Sequence, residues 1–577
     1  MKRTVGDHIA RRTFLAATAA GGAALLAGRV PGLWGIDSGV AAAPRPVVED
    51  APWIEATISQ LQQLMAGGEL SSLELTKGYL KRIKQLNPLL HAIIETNPQA
   101  IGIAAQRDAE RKRGIIRGPL HGIPIVVKDN IATADRMETT AGSLALVGSR
   151  VPQDAVLVQH LRQAGAVILG KANLSEWANF RGFPPPDFPF DTNFLNGWSG
   201  RGGFTLDPYL LSFDPCGSSS GSAAVSAANL AAAAVGTETD GSIVCPSGNQ
   251  LIAGLKPTVG LISQSGIIPI AHSQDSAGPM ARTVEDVAIL LNVLAQPSFG
   301  GQQTPDYTQF LNPNALQGAR IGIERRLFLE EFFALPEIVV VVDEAIDAIA
   351  NAGATIIDPV DTGDPIAWND AEFTVLLYEF KHDIELYLSG LKHTSMRTLG
   401  DLIQFDIDHC EQEMKYFGQE IFELAEATGG DLSNPEYLAA RALGLSLTRA
   451  NGIDRVMSEN NLDAVLSPSY GFGSSAPAVA GYPVMSVPVG FTATGIPAGV
   501  WLYAGFLQEA NLIGVGYGIE QLLQARTQPA FKGKVPPELP DAGICAAPLA
   551  SKQAKTRAEL RRMGPMHHGH GHMFPAR

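Results

Sequence analysis

Apolar positions recur at helical spacing through the first part of the chain. Between residues 53 and 113, Ile54, Ile58, Leu61, Leu64 and Met65 share one stripe, and Leu73, Leu75, Tyr79, Leu80 and Ile83 share another. Ser71-Ser72-Leu73-Glu74 has the form of a capping start for the second helix. Asn87-Pro88 is expected to end it, because the residue before a proline avoids helical backbone. Ile123 to Val127 is apolar without a polar break, as in a strand buried on both faces. A helix at Val156–Leu161 then precedes a strand at Ala166–Leu169, and a helix at Ile338–Ala352 precedes Thr355–Asp358. This alternation predicts an α/β fold with a parallel or mixed sheet covered by helices.

Other segments fill in the outline. Ser222–Ala234 is alanine-rich and reads as a tightly packed helix, Gly254–Thr258 as a turn, and Val284–Leu294 as an amphipathic helix. The stretch 371–460 reads as a helical lobe over the sheet, followed by core strands at Asp463–Pro468 and Val484–Val489. From Phe180 to Asp214, Pro184-Pro185-Pro186, Asn196-Gly197 and Gly200-Arg201-Gly202-Gly203 deny a regular element. That texture predicts a long surface excursion, and long irregular loops often serve function.

Composition narrows the class. Of 577 residues, 45% are hydrophobic and 18% charged, which suits a large folded core. A formal net charge of -15 argues against nucleic acid or anionic lipid as partner. Residues 1–42 have the layout of a twin-arginine export signal: basic Lys2 and Arg3, the pair Arg11-Arg12, an apolar stretch from Phe14 to Ala27, and small residues at Val40-Ala41-Ala42. The apolar stretch is too short for stable membrane insertion. The expectation is export to a periplasm or beyond, a catalytic domain over 43–550, and a disordered tail over 551–577. The tail is basic, then His/Gly-rich. Its His567, His568, His570 and His572 are read as incidental rather than as a metal site. Cys216, Cys245, Cys410 and Cys545 form no metal spacing and no dense framework, so they are read as small buried core residues; Cys216 and Cys245 flank two serine-bearing motifs, which leaves a disulfide between them as the alternative.

Three segments carry candidate chemistry. Lys128 ends the apolar run 123–127, where low dielectric would disfavour its charged form and leave an amine able to act as a base. Ser218 lies in Pro215-Cys216-Gly217-Ser218-Ser219-Ser220-Gly221-Ser222, ahead of the alanine-rich segment. Helix capping accounts for some of these serines. Ser242 follows Thr239-Asp240-Gly241, where successive backbone N–H groups are able to form a nest for an oxyanion. Gly217-Ser218-Ser219-Ser220-Gly221 also satisfies GxSxG, but the Phe213–Gly217 stretch before it is no strand, as a nucleophile elbow requires. Seven histidines lie between the signal and the tail, and none has the context of a triad base.

Taken together, Gly118–Asn130, Cys216–Asn229, Gly236–Pro246, Gly254–Thr258, Gly278–Arg282 and Gly481–Gly490 closely resemble the amidase signature family. The resemblance covers about residues 50 to 535. It implies a single large α/β domain with a mixed, twisted central sheet and helices on both faces. It also implies a Ser-cisSer-Lys triad. Lys128 matches the base, Ser218 the bridging residue after a cis Gly217–Ser218 bond, and Ser242 the nucleophile. Thr239, Asp240, Gly241 and Ser242 match the oxyanion hole. An acyl-enzyme would form and release ammonia, with no metal or organic cofactor. Cys216, Ser220 and Asp240 stand where glycines are common, and an insertion, Asn196–Gly203, precedes Ser218. These features resemble the peptide amidase branch, which implies peptide C-terminal amides as substrates. A general aliphatic or aryl amidase, and an amidotransferase A-type subunit handing ammonia to a partner, are the alternatives. A non-catalytic amide binder, or a hydrolase using Ser219, is a third.

Overall fold

The apolar runs expected as strands at 123–127, 166–169, 355–358, 463–468 and 484–489 all enter one sheet. The computed structural model describes residues 51–184, 196–332 and 334–546. The export signal and the basic tail expected at 1–42 and 551–577 lie outside the described residues. Numbered in chain order, the strands of the main sheet are β1 (Ile93–Thr96), β2 (Pro124–Lys128), β3 (Val167–Ala172), β4 (Ala233–Glu238), β5 (Ala253–Lys256), β6 (Ser276–Ala281), β7 (Arg320–Ile323), β8 (Thr355–Ile357), β9 (Ala464–Pro468), β10 (Val484–Phe491) and β11 (Pro497–Tyr503). Across the sheet they run β1-β3-β2-β4-β6-β5-β10-β11-β9-β7-β8. β2 is parallel to β3 and β4, and β7 is parallel to β8 and β9. The centre, from β4 through β6, β5, β10 and β11 to β9, is antiparallel. The sheet is therefore mixed.

Both faces are covered, because successive strand side chains point to opposite sides. On β9 and β11, Ala464, Leu466, Val500 and Leu502 join one core with Val287 and Leu290 of helix Val284–Leu294, Val342 of helix Pro336–Asn351 and Leu512 of helix Glu509–Leu523. Their neighbours Val465, Trp501 and Tyr503 join another core with Val244 of helix Val244–Asn249, Val456 of helix Asp454–Asn460 and Ala476 of helix Ser475–Ala480. The expected helical lobe is present. Helices Pro365–Gly390, Leu399–Asp408 and Glu420–Thr428 share a separate apolar cluster built on Phe373, Phe380, Leu402 and Phe422. Among the described residues no helix is long and apolar enough to cross a membrane.

Several local expectations are corrected. The N-terminal helical region is interrupted by β1, which pairs with β3. Helix Ser72–Leu90 runs through Pro88 and closes at His91 in a left-handed conformation, so the proline does not end it. The alanine-rich segment divides into helix Ser220–Ala227 and strand β4, which is buried between β2 and β6. The expected turn at 254–258 is mostly strand β5. The described part of the 180–214 excursion is largely buried. It contains a small hairpin, Trp198–Ser199 with Gly203–Phe204, whose Trp198 packs against Tyr416, Phe417 and Leu539. Gly202 is required there, because a Cβ would lie 2.3 Å from Asn173 Oδ1. The four cysteines are not free core residues: Cys216 bonds Cys245, and Cys410 bonds Cys545.

Candidate active site

β2 and β4 are parallel neighbours, with Val127 beside Val235 in register, so their C-terminal ends emerge at the same edge. Ligand sites in open α/β sheets gather at that edge. β2 ends in Lys128 and β4 in Glu238, and the loop after β4 carries Thr239, Asp240, Gly241 and Ser242.

Lys128 is completely buried. Its Nζ lies 2.7 Å from Ser218 Oγ, 2.9 Å from Ser219 Oγ, 2.9 Å from Thr237 Oγ1 and 3.1 Å from Thr237 O. The Ser219 hydroxyl donates to Thr237 O at 3.0 Å, and Asn130 Nδ2 donates to Thr237 Oγ1 at 2.9 Å. Removal from water lowers the Lys128 pKa from its ordinary 10.5 to about 7, although Glu238 and Asp275 pull it upward. A neutral amine beside a hydroxyl at this distance is placed to accept its proton.

Ser218 follows a cis Gly217–Ser218 peptide bond, in keeping with the family resemblance. Its carbonyl accepts from Ser175 N–H at 3.0 Å. The next residue joins the two serine loops, with Ser219 N–H donating to Ser242 O at 3.1 Å. Ser242 is 2% exposed. Gly241 has φ +78°, a left-handed conformation that suits glycine and turns the chain sharply at this point. Among the described residues, no protein acceptor takes the N–H of Gly241 or Ser242.

The loop is held from behind. Glu238 accepts the N–H groups of Ile243 and Val244 at 2.6 and 2.9 Å, ahead of helix Val244–Asn249. The Thr239 hydroxyl donates to Asp275 Oδ1 at 2.6 Å, and the Ser474 hydroxyl to Asp240 Oδ1 at 2.5 Å. His272, Glu379 and Asp383 form a His/carboxylate group close enough to share a cation. These groups already engage one another and their surroundings. His272 Nδ1 and backbone N–H meet Asp383 at 2.8 and 3.0 Å, while Glu379 accepts from Ser273 N–H and Tyr437 O–H at 2.9 and 2.8 Å. The group ties segment 270–275 to helix Pro365–Gly390, and Asp275 carries that tie on to Thr239.

The structure thus gathers Lys128, Ser218 and the 239–242 loop at one sheet edge. Ser219, Thr237 and Asn130 complete the amine's surroundings, a role that no local motif signals. Ser219 stands out in the sequence only as a nucleophile-elbow serine, and no strand precedes it.

The amidase family profile matches residues 74–513. This chain belongs to the amidase signature family. Its fold is similar to that of the peptide amidase from Stenotrophomonas maltophilia, with TM-score 0.77 and 45% identity over 83% of this chain and 99% of that one. An amidase family protein from Bacillus anthracis has TM-score 0.75 and 35% identity, over 82% and 92% of the two chains. A glutamyl-tRNA(Gln) amidotransferase subunit from Halorhodospira halophila is 32% identical over 496 residues, covering 81% of this chain and 97% of the relative. This amidase is an amide-hydrolysing enzyme.

The electrostatics of this amidase give a testable sign. With Lys128 as the base that the family resemblance implies, only the unprotonated amine is active, so kcat/KM for amide hydrolysis should rise with pH through about 7. Glu238 favours the charged amine, so Glu238→Gln should move that rising limb to lower pH. A pH–rate profile of the folded variant checks this, and an unmoved limb or one displaced upward would contradict it.

Proposed function

We propose that this amidase hydrolyses carboxamides through Ser242, Ser218 and Lys128, and that its preferred substrates are peptides carrying a C-terminal amide. Ser242 Oγ attacks the amide carbonyl carbon while its proton passes to Ser218 Oγ, and the Ser218 proton passes to Lys128 Nζ. The carbonyl oxygen becomes an oxyanion, held by N–H groups of Thr239, Asp240, Gly241 and Ser242. Loss of one such donor typically costs about 10²–10³ in rate. The proton returns through Ser218 to the leaving nitrogen, the C–N bond breaks and ammonia departs. Water then attacks the Ser242 ester by the same relay, releasing the acid and restoring the serine.

The observation that carries this reading is the 2.7 Å approach of a fully buried Lys128 amine to Ser218 Oγ, on a loop hydrogen-bonded to Ser242. The substrate class is supported by the 45% identity to a peptide amidase and by the Asn196–Gly203 insertion. Gly197 N–H donates to Ser175 Oγ at 2.9 Å, and Ser175 N–H donates to Ser218 O at 3.0 Å. One residue therefore separates the insertion from the relay serine.

Ser242→Ala should abolish ammonia release from a peptide amide while leaving the fold intact, and a fluorophosphonate should label Ser242 in the wild type. Label on Ser219 or full turnover by Ser242→Ala would contradict the assignment. Across peptide amides, fatty amides, aryl amides and glutamine, peptide amides should show the highest kcat/KM. Preference for glutamine would favour the amidotransferase reading instead.

We also propose export through the twin-arginine signal. Both disulfides suit an oxidising compartment. Cell fractionation should find activity outside the cytoplasm, and Arg11→Lys/Arg12→Lys should retain it inside. Unchanged export of that variant would dismiss the signal.

A further inference from the structure

The Cys216–Cys245 bridge lies against the reactive loops. Cys216 stands two residues before Ser218, and Cys245 three residues after Ser242. Both are completely buried, and their Cα atoms are 5.9 Å apart. The bridge therefore closes a small circuit with the Ser219 N–H to Ser242 O bond, linking the two loops on either side of the serines. Further from the serines the same pair of segments is fastened by side chains. Asn249 Nδ2 donates to Asp214 O at 2.9 Å, and Gln250 Nε2 to Pro215 O and Ser220 O at 2.9 and 3.1 Å.

The backbone at Cys216 points the same way. Its φ is +53°, in the left-handed region that favours glycine and disfavours a residue with a Cβ. A cysteine there reaches Cys245, which a glycine would not. Cys245 is also fixed locally, its N–H donating to Gly241 O at 2.8 Å. One end of the bridge thus holds the turn that carries Ser242, and the other holds the turn that presents Ser218. The second bridge differs. Cys410–Cys545 is partly exposed and anchors the C-terminal segment beyond the Leu539 cluster, and neither of its cysteines lies in a serine loop.

We propose that the Cys216–Cys245 disulfide is a positioning element for the relay, fixing the separation of the Ser218 and Ser242 loops so that the proton path stays closed. The proposal rests on Ser242 and Ser218 carrying the reaction. Proton relay demands heavy-atom spacing near hydrogen-bond length, and misplacement of about 1 Å can cost about 10²-fold. Losing the tether should therefore slow the chemical step and leave substrate binding nearly intact.

The test compares Cys216→Ala/Cys245→Ala with Cys410→Ala/Cys545→Ala on a peptide amide. The first pair should lower kcat about 10- to 100-fold with KM nearly unchanged, and should slow fluorophosphonate labelling of Ser242 by a similar factor. The second pair should keep both rates. If alanine at 216 prevents folding, Cys216→Gly/Cys245→Ala accommodates the positive φ and should show the same loss. Wild-type kcat and labelling rate in a folded variant lacking the inner bridge would overturn the proposal. Wild-type label on a residue other than Ser242 would instead overturn the assignment on which it rests.

Discussion

Burying one amine in a sealed polar pocket is the constraint around which the site is arranged. Lys128 has no contact with water, and desolvation takes its pKa from 10.5 to about 7. That corresponds to about 5 kcal/mol moved toward the neutral form. The surroundings are those a neutral amine can satisfy. An NH₂ group donates twice and offers one lone pair, and Nζ has Ser218 Oγ, Ser219 Oγ and both oxygens of Thr237 within 3.1 Å. Ser219 gives its own proton to Thr237 O, which leaves its lone pairs for the amine. The Ser218 hydroxyl, at 2.7 Å, is then the partner placed to face the nitrogen lone pair. Two other buried lysines sit nearby in the sheet, Lys171 on β3 and Lys256 on β5. Burial lowers each to about 8. Lys171 donates to Ile131 O and to the Thr139 hydroxyl, with Asp129 3.9 Å away, and Lys256 donates to Tyr482 O and Pro257 O. Lys128 differs in meeting the hydroxyls of the serine loop, Ser218 and Ser219.

The sheet explains why these residues meet. Parallel pairing of β2 with β4 brings the two strand ends to one edge, so Lys128 and the loop after Glu238 arrive together. The loop is then braced by groups outside it: Glu238 on the N–H groups ahead of the helix, Asp275 on Thr239, and Ser474 on Asp240. The covalent link from Cys216 to Cys245 adds a restraint that hydrogen bonds in a reorganising site would share less rigidly.

The parts of this arrangement legible in the sequence are those set by local pattern. Five apolar residues before Lys128 announce a buried strand, and helix Val284–Leu294 is visible residue for residue from its periodicity. The small-residue motifs around Ser218 and Ser242 stand out through their likeness to a family. What stays hidden is set by distant partners. β1 lies inside the 53–113 region that reads as helical, yet it pairs with β3, and the end of the alanine-rich run, from Ala233, is strand because β2 and β6 flank it. Cys410 pairs with Cys545 across 135 residues, a separation that no spacing rule connects, whereas the motifs that Cys216 and Cys245 flank leave the pairing of those two open. The Asn196–Gly203 insertion looks like surface because glycine suits both exposed turns and crowded backbone, and here crowding against Asn173 decides.

The state of one nitrogen therefore tests the account most directly. NMR of the protein labelled with ¹⁵N at lysine Nζ, with Lys128→Met to assign the signal, reports the protonation of Lys128 as pH is varied. The expected result is a midpoint near 7, with the neutral amine dominant above it. A Lys128 signal that stays that of an ammonium until pH approaches 10.5 would show that the buried amine is charged where the proposed relay needs a base, and would contradict the account.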